Sequence, residues 1–296
     1  MKKTAIGFVG VGRMGANMAR HLADLGYEVT AVCDQRETVA SSLALELGCA
    51  AVRNLPEVTA SAEIIFTVVT DDASMRNLFG GSNSLLKNAR GKVFINCATA
   101  SPGAHEAAEE AAVAAGAMTL VAGVGASMNQ ARHGTLYLIV GGDFVVFQRY
   151  ESVLADMSSA VRYVGSAGNA AKIKALANMV MNINTAGLAE GLGLGAALGI
   201  DLQVLKEVFC NTGADSRVLN TDGDDMILRE HPCHFAAVHA AKDSGIANSL
   251  ATAAGVPVPL SHVAEEQYRK LVGLGLGELD KSAISELTFP DRAGIL

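Results

Sequence analysis

Ala5-Ile6-Gly7-Phe8-Val9-Gly10-Val11-Gly12-Arg13-Met14-Gly15-Ala16-Asn17-Met18-Ala19 carries the strongest structural signal in this chain. Its first five residues form a short β-like run. Arg13 to Leu25 then places Met14, Met18, Leu22 and Leu25 on one face of a helix, and Gly26 follows as a C-cap. Between the two lies Gly10-Val11-Gly12-Arg13-Met14-Gly15, a GxGxxG pattern. Alone such a pattern is a weak signal, readable as a glycine-rich turn. Placed between a strand and a helix, it has the context that a pyrophosphate requires: glycines turn the backbone tightly and bring it close, and the helix N-terminus faces the charge. Gly10, Val11, Gly12, Arg13, Met14 and Gly15 are therefore candidate cofactor-binding residues.

Outward from this loop the pattern repeats. Glu28–Cys33 reads as a second strand and ends at Asp34. A carboxylate there accepts hydrogen bonds from an adenosine ribose and repels a 2′-phosphate, which favours NAD over NADP. Arg36, two residues on, keeps NADP open, because a guanidinium pairs with that phosphate; as a bland alternative it is a solvated surface arginine. Glu37–Leu47 reads as a helix, and Glu63–Val69, Lys92–Asn96, Thr119–Val121, Leu136–Val140 and Val161–Val164 as strands. Ser101-Pro102 starts a helix to Ala115 with an N-cap and a proline at its first position. Strands alternating with helices predict an α/β domain over 1–164, a doubly wound, mostly parallel sheet of Rossmann type. Past Gly165-Ser166-Ala167-Gly168 the β signal stops, and 165–296 reads as an all-α domain entered directly by a helix.

Composition narrows the function classes. The chain has 296 residues, 50% hydrophobic, with 31 glycines, and so apolar a chain is not disordered. A net charge of −7 offers nothing to a nucleic-acid backbone. Five scattered cysteines fit no disulfide framework or zinc pattern and favour a reducing, cytoplasmic setting. Met1-Lys2-Lys3 before apolar residues resembles a signal peptide, but Arg13 and Arg20 interrupt the apolar stretch, so none is expected. Ala175 to Ile200 holds one formal charge, Glu190, yet its asparagines and glycines make it a poor membrane span and a good buried helix.

That helix has two stripes. Lys174, Asn178, Asn182 and Thr185, at i, i+4, i+8 and i+11, form a polar stripe. Solvated faces usually carry glutamate, lysine and arginine; neutral amides with one lysine suit a polar cleft wall. Desolvation and a neighbouring nicotinamide cation both disfavour a charged ammonium, so Lys174 suits proton exchange with a carbonyl oxygen. Asn178, one turn away, positions the same oxygen or the rest of the substrate. Gly187, Gly191, Gly195 and Gly199 recur every four residues and predict close approach of another backbone, within the domain or across subunits.

With these residues in view, the chain resembles the β-hydroxyacid dehydrogenase family over essentially its whole length. The resemblance is carried by Phe8 to Ala19, Gly134-Thr135-Leu136 with Gly141-Gly142, Gly165 and Gly168 before Lys174 and Asn178, Ala189-Glu190, and Lys242-Asp243. It implies a nicotinamide-binding N-terminal domain, an all-helical C-terminal domain, a homodimer or homotetramer, and reversible oxidation of small 3-hydroxy acids to semialdehydes. Lys174 resembles the family's catalytic lysine, with Lys172 as a rival, and Asn178 its substrate-orienting asparagine. Thr99 resembles the threonine near the nicotinamide and Lys242 the lysine that reaches the cofactor. Thr70 stands where a proline usually lines the cofactor.

The departures matter as much. Many members hold the substrate carboxylate with an Asp-Ala-Pro-Val-Ser-Gly-Gly loop; here the stretch is Val121-Ala122-Gly123-Val124-Gly125-Ala126-Ser127, and Gln130 replaces a further glycine. Gly125, Ala126 and Ser127 are the candidate substrate-binding residues. The Gly125-x-Ser127 arrangement looks closer to the sulfolactaldehyde reductase branch, which raises a sulfonate or phosphonate substrate as an alternative. A non-catalytic dinucleotide-binding module is a second alternative, and imine reduction a third, disfavoured by Lys174. His231-Pro232-Cys233-His234 with His239 matches no standard zinc spacing, so no metal site is expected, and His133 lies in the altered loop. The expected partners are a small anionic substrate, with no nucleic acid and no membrane.

Overall fold

A strand with apolar residues on both faces needs covering on both sides, and Ala5–Val9 (β1) is so covered: Ile6, Phe8 and Val9 are buried. The computed structural model describes residues 4–125 and 127–292. Arg13–Asp24 (α1), Glu28–Cys33 (β2), Glu37–Leu47 (α2), Ala50–Ala51 (β3) and Leu55–Ser61 (α3) follow β1. Then come Ile64–Thr67 (β4), Asp72–Phe79 (α4), Val93–Asn96 (β5), Pro102–Ala114 (α5), Met118–Val124 (β6) and Met128–Arg132 (α6). Leu136–Gly142 (β7), Phe144–Asp156 (α7) and Ser158–Tyr163 (β8) complete the sheet, whose order is β3-β2-β1-β4-β5-β6-β7-β8. Neighbours are parallel except β6 and β7, so the last two strands run against the rest.

Each face of the sheet has its own apolar layer. Met18 and Leu22 of α1, Leu43 of α2, and Phe147 and Leu154 of α7 cover one face, where Phe8 and Phe66 stack with ring centroids 5.1 Å apart. Val58 of α3, Met75 and Leu78 of α4, and Ala104, Ala108 and Ala112 of α5 cover the other. This is the doubly wound arrangement expected from the alternating pattern. Its strand order reverses at β1, flanked by β2 and β4, so the loops after β1, β2, β4 and β5 gather at one edge. The sequence pattern missed β3, a two-residue edge strand of exposed alanines with no alternation to read. It also ended the sixth strand at Val121, where the structure continues it to Val124.

The second half is helical: Ala167–Ala197 (α8), Leu202–Cys210 (α9), Arg217–Leu228 (α10), Ala237–Ala254 (α11), Pro259–Gly273 (α12) and a 3₁₀ helix over Lys281–Leu287. The chain divides into compact units 1–174 and 175–296, with the division inside α8 rather than at 164/165. The start of α8 belongs with the sheet because Ala167 and Ala170 cluster with Val121 and Ile139. A side chain at Gly141 would overlap the Ser166 carbonyl, so this strand position needs glycine for the close approach. Within the second unit, Leu188 and Leu192 of α8, Leu219 and Met226 of α10, Tyr268 and Leu271 of α12, and Ile284 share one core. Among the described residues, no helix is long and apolar enough to cross a membrane.

The glycine stripe of α8 does something other than expected. Gly191 faces the Phe209 ring of α9, and Gly195 faces the Leu205 side chain. Gly187 faces open space, and Gly199, at φ +71°, lies beyond the helix end. A backbone does approach α8, but at Gly193, off the stripe, where an added Cβ would lie 2.8 Å from the Thr288 carbonyl oxygen. A four-residue period marks one helix face without specifying what lies against it.

Candidate functional site

The loop after β1 is held by the loop after β2. The Val11 amide donates to Asp34 Oδ2 at 2.9 Å, and the Arg36 amide donates to Asp34 Oδ1 at 2.9 Å. Asp34 is thus fixed beside the glycine turn, its side chain 10% exposed, while the Arg36 guanidinium is 66% exposed. Gly10 has φ +83°, and a Cβ there would overlap the Val68 carbonyl oxygen; one at Gly15 would overlap the Gly10 carbonyl oxygen. Gly12 is the N-cap of α1 and offers no side-chain cap, which suits the first-turn amides to an outside anion. Gly12, Arg13 and Met14 form that turn, and Arg13 is exposed. An uncapped helix N-terminus, a glycine turn and a fixed carboxylate at the end of β2 fit the pyrophosphate and ribose of a dinucleotide.

The neighbouring loops are tied together at the same edge. Thr70 is exposed and its hydroxyl donates to Asp71 Oδ2 at 3.0 Å, while Asp71 caps α4. Ser101, the N-cap of α5, donates from its amide to Asp72 Oδ1 at 2.7 Å and from its hydroxyl to Asp72 Oδ2 at 2.5 Å. Thr99 is half-buried in the stretch between β5 and α5. Nearby, burial pushes the Cys97 thiol up to about 12, so it stays protonated at neutral pH.

Lys174 lies against the end of β6. A Cβ added to Gly123 would sit 3.4 Å from Lys174 Cβ and 3.5 Å from its Cγ, so the strand's missing side chain makes room for the lysine stem. Lys174 is half-buried, and the rival Lys172 is exposed. Beyond β6, the Gly125 amide donates to the Tyr137 carbonyl at 2.8 Å, continuing the ladder to β7. Ser127 is the N-cap of α6 and forms a capping box with Gln130. Ala126 lies outside the described residues. The donors expected to face an anion at Gly125 and Ser127 are therefore engaged within the protein, because Gln130 supplies a local acceptor that a glycine cannot.

In the second unit, Asn178 and Lys242 meet at Asp243, an acid to which the sequence pattern assigned no role. Asp243 is 1% exposed; its Oδ2 accepts from Asn178 Nδ2 at 2.5 Å, and Lys242 Nζ lies 2.6 Å from its Oδ1. The available signal was Asp243 within the buried face of α11 that Ala240, Ser244 and Ala247 define. The rest of the polar stripe proves internal. Asn182, fully buried, donates to the Ala240 carbonyl at 3.0 Å and to Ser244 Oγ at 2.9 Å. Thr185, also fully buried, donates to the Met181 carbonyl at 2.9 Å. These two stitch a helix interface and do not line a cleft. His231 is held by a 2.8 Å hydrogen bond to Ser282 Oγ and lies 3.5 Å from Glu286. His133 bonds the Asn129 carbonyl at 2.8 Å through Nδ1.

Two family models cover nearly the whole chain. Residues 5–165 match the NAD binding domain of 6-phosphogluconate dehydrogenase, and residues 168–288 match the NAD-binding region of NADP-dependent 3-hydroxyisobutyrate dehydrogenase. Glyoxylate/succinic semialdehyde reductase 2 of Arabidopsis thaliana is 29% identical, over 95% of this chain and 78% of its own length. Cytokine-like nuclear factor N-PAC of Anopheles gambiae is 28% identical over 94% of this chain, which spans only 49% of that protein's length. The solved structure of Mycobacterium tuberculosis 3-hydroxyisobutyrate dehydrogenase with L-serine superposes with a TM-score of 0.85 at 27% identity, covering 96% of this chain and 98% of that one. The glycine cradle, the sheet order and both matched halves place the chain in the β-hydroxyacid dehydrogenase family of NAD(P)-dependent oxidoreductases.

Proposed function

We propose that the protein interconverts a small 3-hydroxy acid, or a related anionic alcohol, and its semialdehyde or ketone. The observation that carries this reading is Lys174, half-buried against Gly123, in the same unit as the glycine cradle. A nicotinamide dinucleotide, when bound, donates the hydride in reduction and accepts it in oxidation. Lys174 gives a proton to the carbonyl oxygen in reduction and takes one from the hydroxyl in oxidation. Asn178, one turn along α8, orients the substrate, and Asp243 fixes the amide of Asn178 and the ammonium of Lys242. Gly10 to Gly15, Asp34, Thr70, Thr99 and Lys242 are assigned to the cofactor on the same reading.

The test is steady-state oxidation of NADH with a panel of semialdehydes, comparing wild type with Lys174→Met. Turnover is expected to fall by ~10²–10⁴-fold, the usual worth of a positioned acid, while NADH binding persists. Near-wild-type turnover in the variant removes Lys174 from this role. Cofactor binding without turnover of any semialdehyde, sulfonate or phosphonate in the panel would instead support a binding module, the reading that the engaged donors at Ser127 favour.

We further infer a preference for NAD. Asp34 is fixed by two backbone amides where a 2′-phosphate would approach, so its charge cannot swing away. NADH is expected to exceed NADPH in kcat/KM by about tenfold, corresponding to roughly 1.4 kcal/mol. Asp34→Ser narrows this ratio; an unchanged ratio excludes Asp34 as its source. Self-association is supported by the exposed Leu194 and Leu198 of α8 and Val204 and Val208 of α9, and sedimentation at several concentrations tests it.

A further inference from the structure

We propose that the ring of Tyr137 forms a wall of the substrate site beside Lys174 and selects substrates that carry an apolar group, branched alkyl or aryl, next to the reacting carbonyl. The inference rests on the dehydrogenase reading above and deepens it.

The geometry comes from two glycines of one stretch. Gly123 lies in β6, and Gly125 continues its ladder through the 2.8 Å hydrogen bond to the Tyr137 carbonyl, so both present the same face of the sheet. A Cβ added to Gly123 would sit 3.4 Å from Lys174 Cβ, and one added to Gly125 would sit 3.6 Å from Tyr137 Cδ1 and 3.9 Å from its Cβ. The lysine stem and the tyrosine ring therefore stand side by side, each over a glycine, at the ~7 Å spacing of alternate strand residues. All four residues belong to the unit 1–174.

The ring is bare where its neighbours are covered. On the same face of β7, Ile139 is buried beneath the start of α8 with Ala167 and Ala170, whereas Tyr137 is 44% exposed. Cross-strand partners normally pack against a ring on a sheet. Here the partner on one side is Gly125, and on the other it is Ala160 of β8, itself exposed. Neither offers more than a methyl group. A substrate whose carbonyl oxygen meets Lys174 has one flank on this ring. An apolar group on that flank is removed from water together with the ring face, while a short hydrophilic substrate gains nothing there.

The experiment follows NADH oxidation by the full chain with semialdehydes bearing hydrogen, isopropyl or phenyl on the carbon next to the carbonyl. Wild type is compared with Tyr137→Phe, which keeps the ring, and Tyr137→Ser, which removes it. The preference in kcat/KM for phenyl over hydrogen is expected to fall about tenfold in the Ser variant, through KM, and to persist in the Phe variant. A second readout needs no turnover. The chain contains no tryptophan, so Tyr137→Trp supplies one indole whose emission reports this position alone. Titrating 3-phenylpropanoate into the NADH-saturated Trp variant is expected to shift that emission saturably, and propanoate to do so more weakly. A preference unchanged within twofold in the Ser variant overturns the proposal, even where its thermal stability falls, because the ring then only covers Gly125. Equal loss in the Phe variant, or no emission response to 3-phenylpropanoate, also overturns it. A saturable emission shift without turnover of any semialdehyde upholds the wall while rejecting the dehydrogenase reading. Turnover that needs Lys174 but ignores Tyr137 does the opposite.

Discussion

At Asp243 one buried carboxylate accepts from the Asn178 amide and lies against the Lys242 ammonium. Replacing it with alanine removes that acceptor from a site 1% exposed, and is expected to cost about 1–3 kcal/mol in urea unfolding. Asp243→Asn keeps the size of the side chain and is expected to recover part of that loss; equal destabilisation by both variants would locate the cost in the charge alone. Gly10 makes a sharper demand. Its φ of +83° lies where a Cβ costs about 1–2 kcal/mol, and the Val68 carbonyl leaves no room for one. Gly10→Ala is expected to lower stability by at least that amount and to abolish NADH binding, both measurable by thermal shift with and without cofactor. Gly10 was legible from its motif because the constraint is local. The role of Asp243 was not, although the residue stands in the Lys242-Asp243 segment, because it depends on α8 and α11 lying side by side.

Helix α8 concentrates the lesson at the scale of elements. Two of its glycines have opposite surroundings: nothing lies near Gly187, whereas Gly193 abuts the Thr288 carbonyl. Gly187→Ala should stabilise the fold by ~0.5–1 kcal/mol, since only the entropic cost of helical glycine is removed. Gly193→Ala should destabilise it, because an added methyl would lie 2.8 Å from that oxygen and α8 must move away from Thr288. Denaturant midpoints of the two variants check both signs. The polar stripe divides similarly along its length. Lys174 is half-buried beside Gly123, whereas Asn178, Asn182 and Thr185 are buried and their side chains make internal hydrogen bonds. Spacing of i+4 and i+8 puts side chains on one face, but whether that face meets solvent, ligand or another helix is set by neighbours distant in sequence.

For the whole molecule, pH tests how the second unit is closed. His231 is buried between Ser282 and Glu286, with Arg229, Arg292 and Asp225 also charged nearby, and burial is the main cause of its lowered proton affinity. A histidine whose folded pKa lies below the ordinary 6.5 favours folding while it is neutral. That stability is present above pH 6.5 and is lost as pH falls from there toward the folded value, because the unfolded chain takes the proton first. Asp225, raised from 3.8 chiefly by burial, has the opposite sign: its contribution is present at acid pH and lost as pH rises through its folded value. Unfolding free energy should therefore drop on acidification below pH 6.5, and His231→Gln should flatten that drop, as followed by urea titration at several pH values. From the amino-acid order alone came the alternating sheet, the glycine cradle with Asp34 and the helical second half. All of these depend on local periodicity or on residue types with few conformational choices. The three-dimensional fold added the unit boundary inside α8, the buried acid between Asn178 and Lys242, and the Gln130 amide folded over Ser127. Each of these depends on how the folded chain positions its partners, even for Gln130 three residues from Ser127: the pattern marks a turn, but only the folded loop shows its donors already engaged.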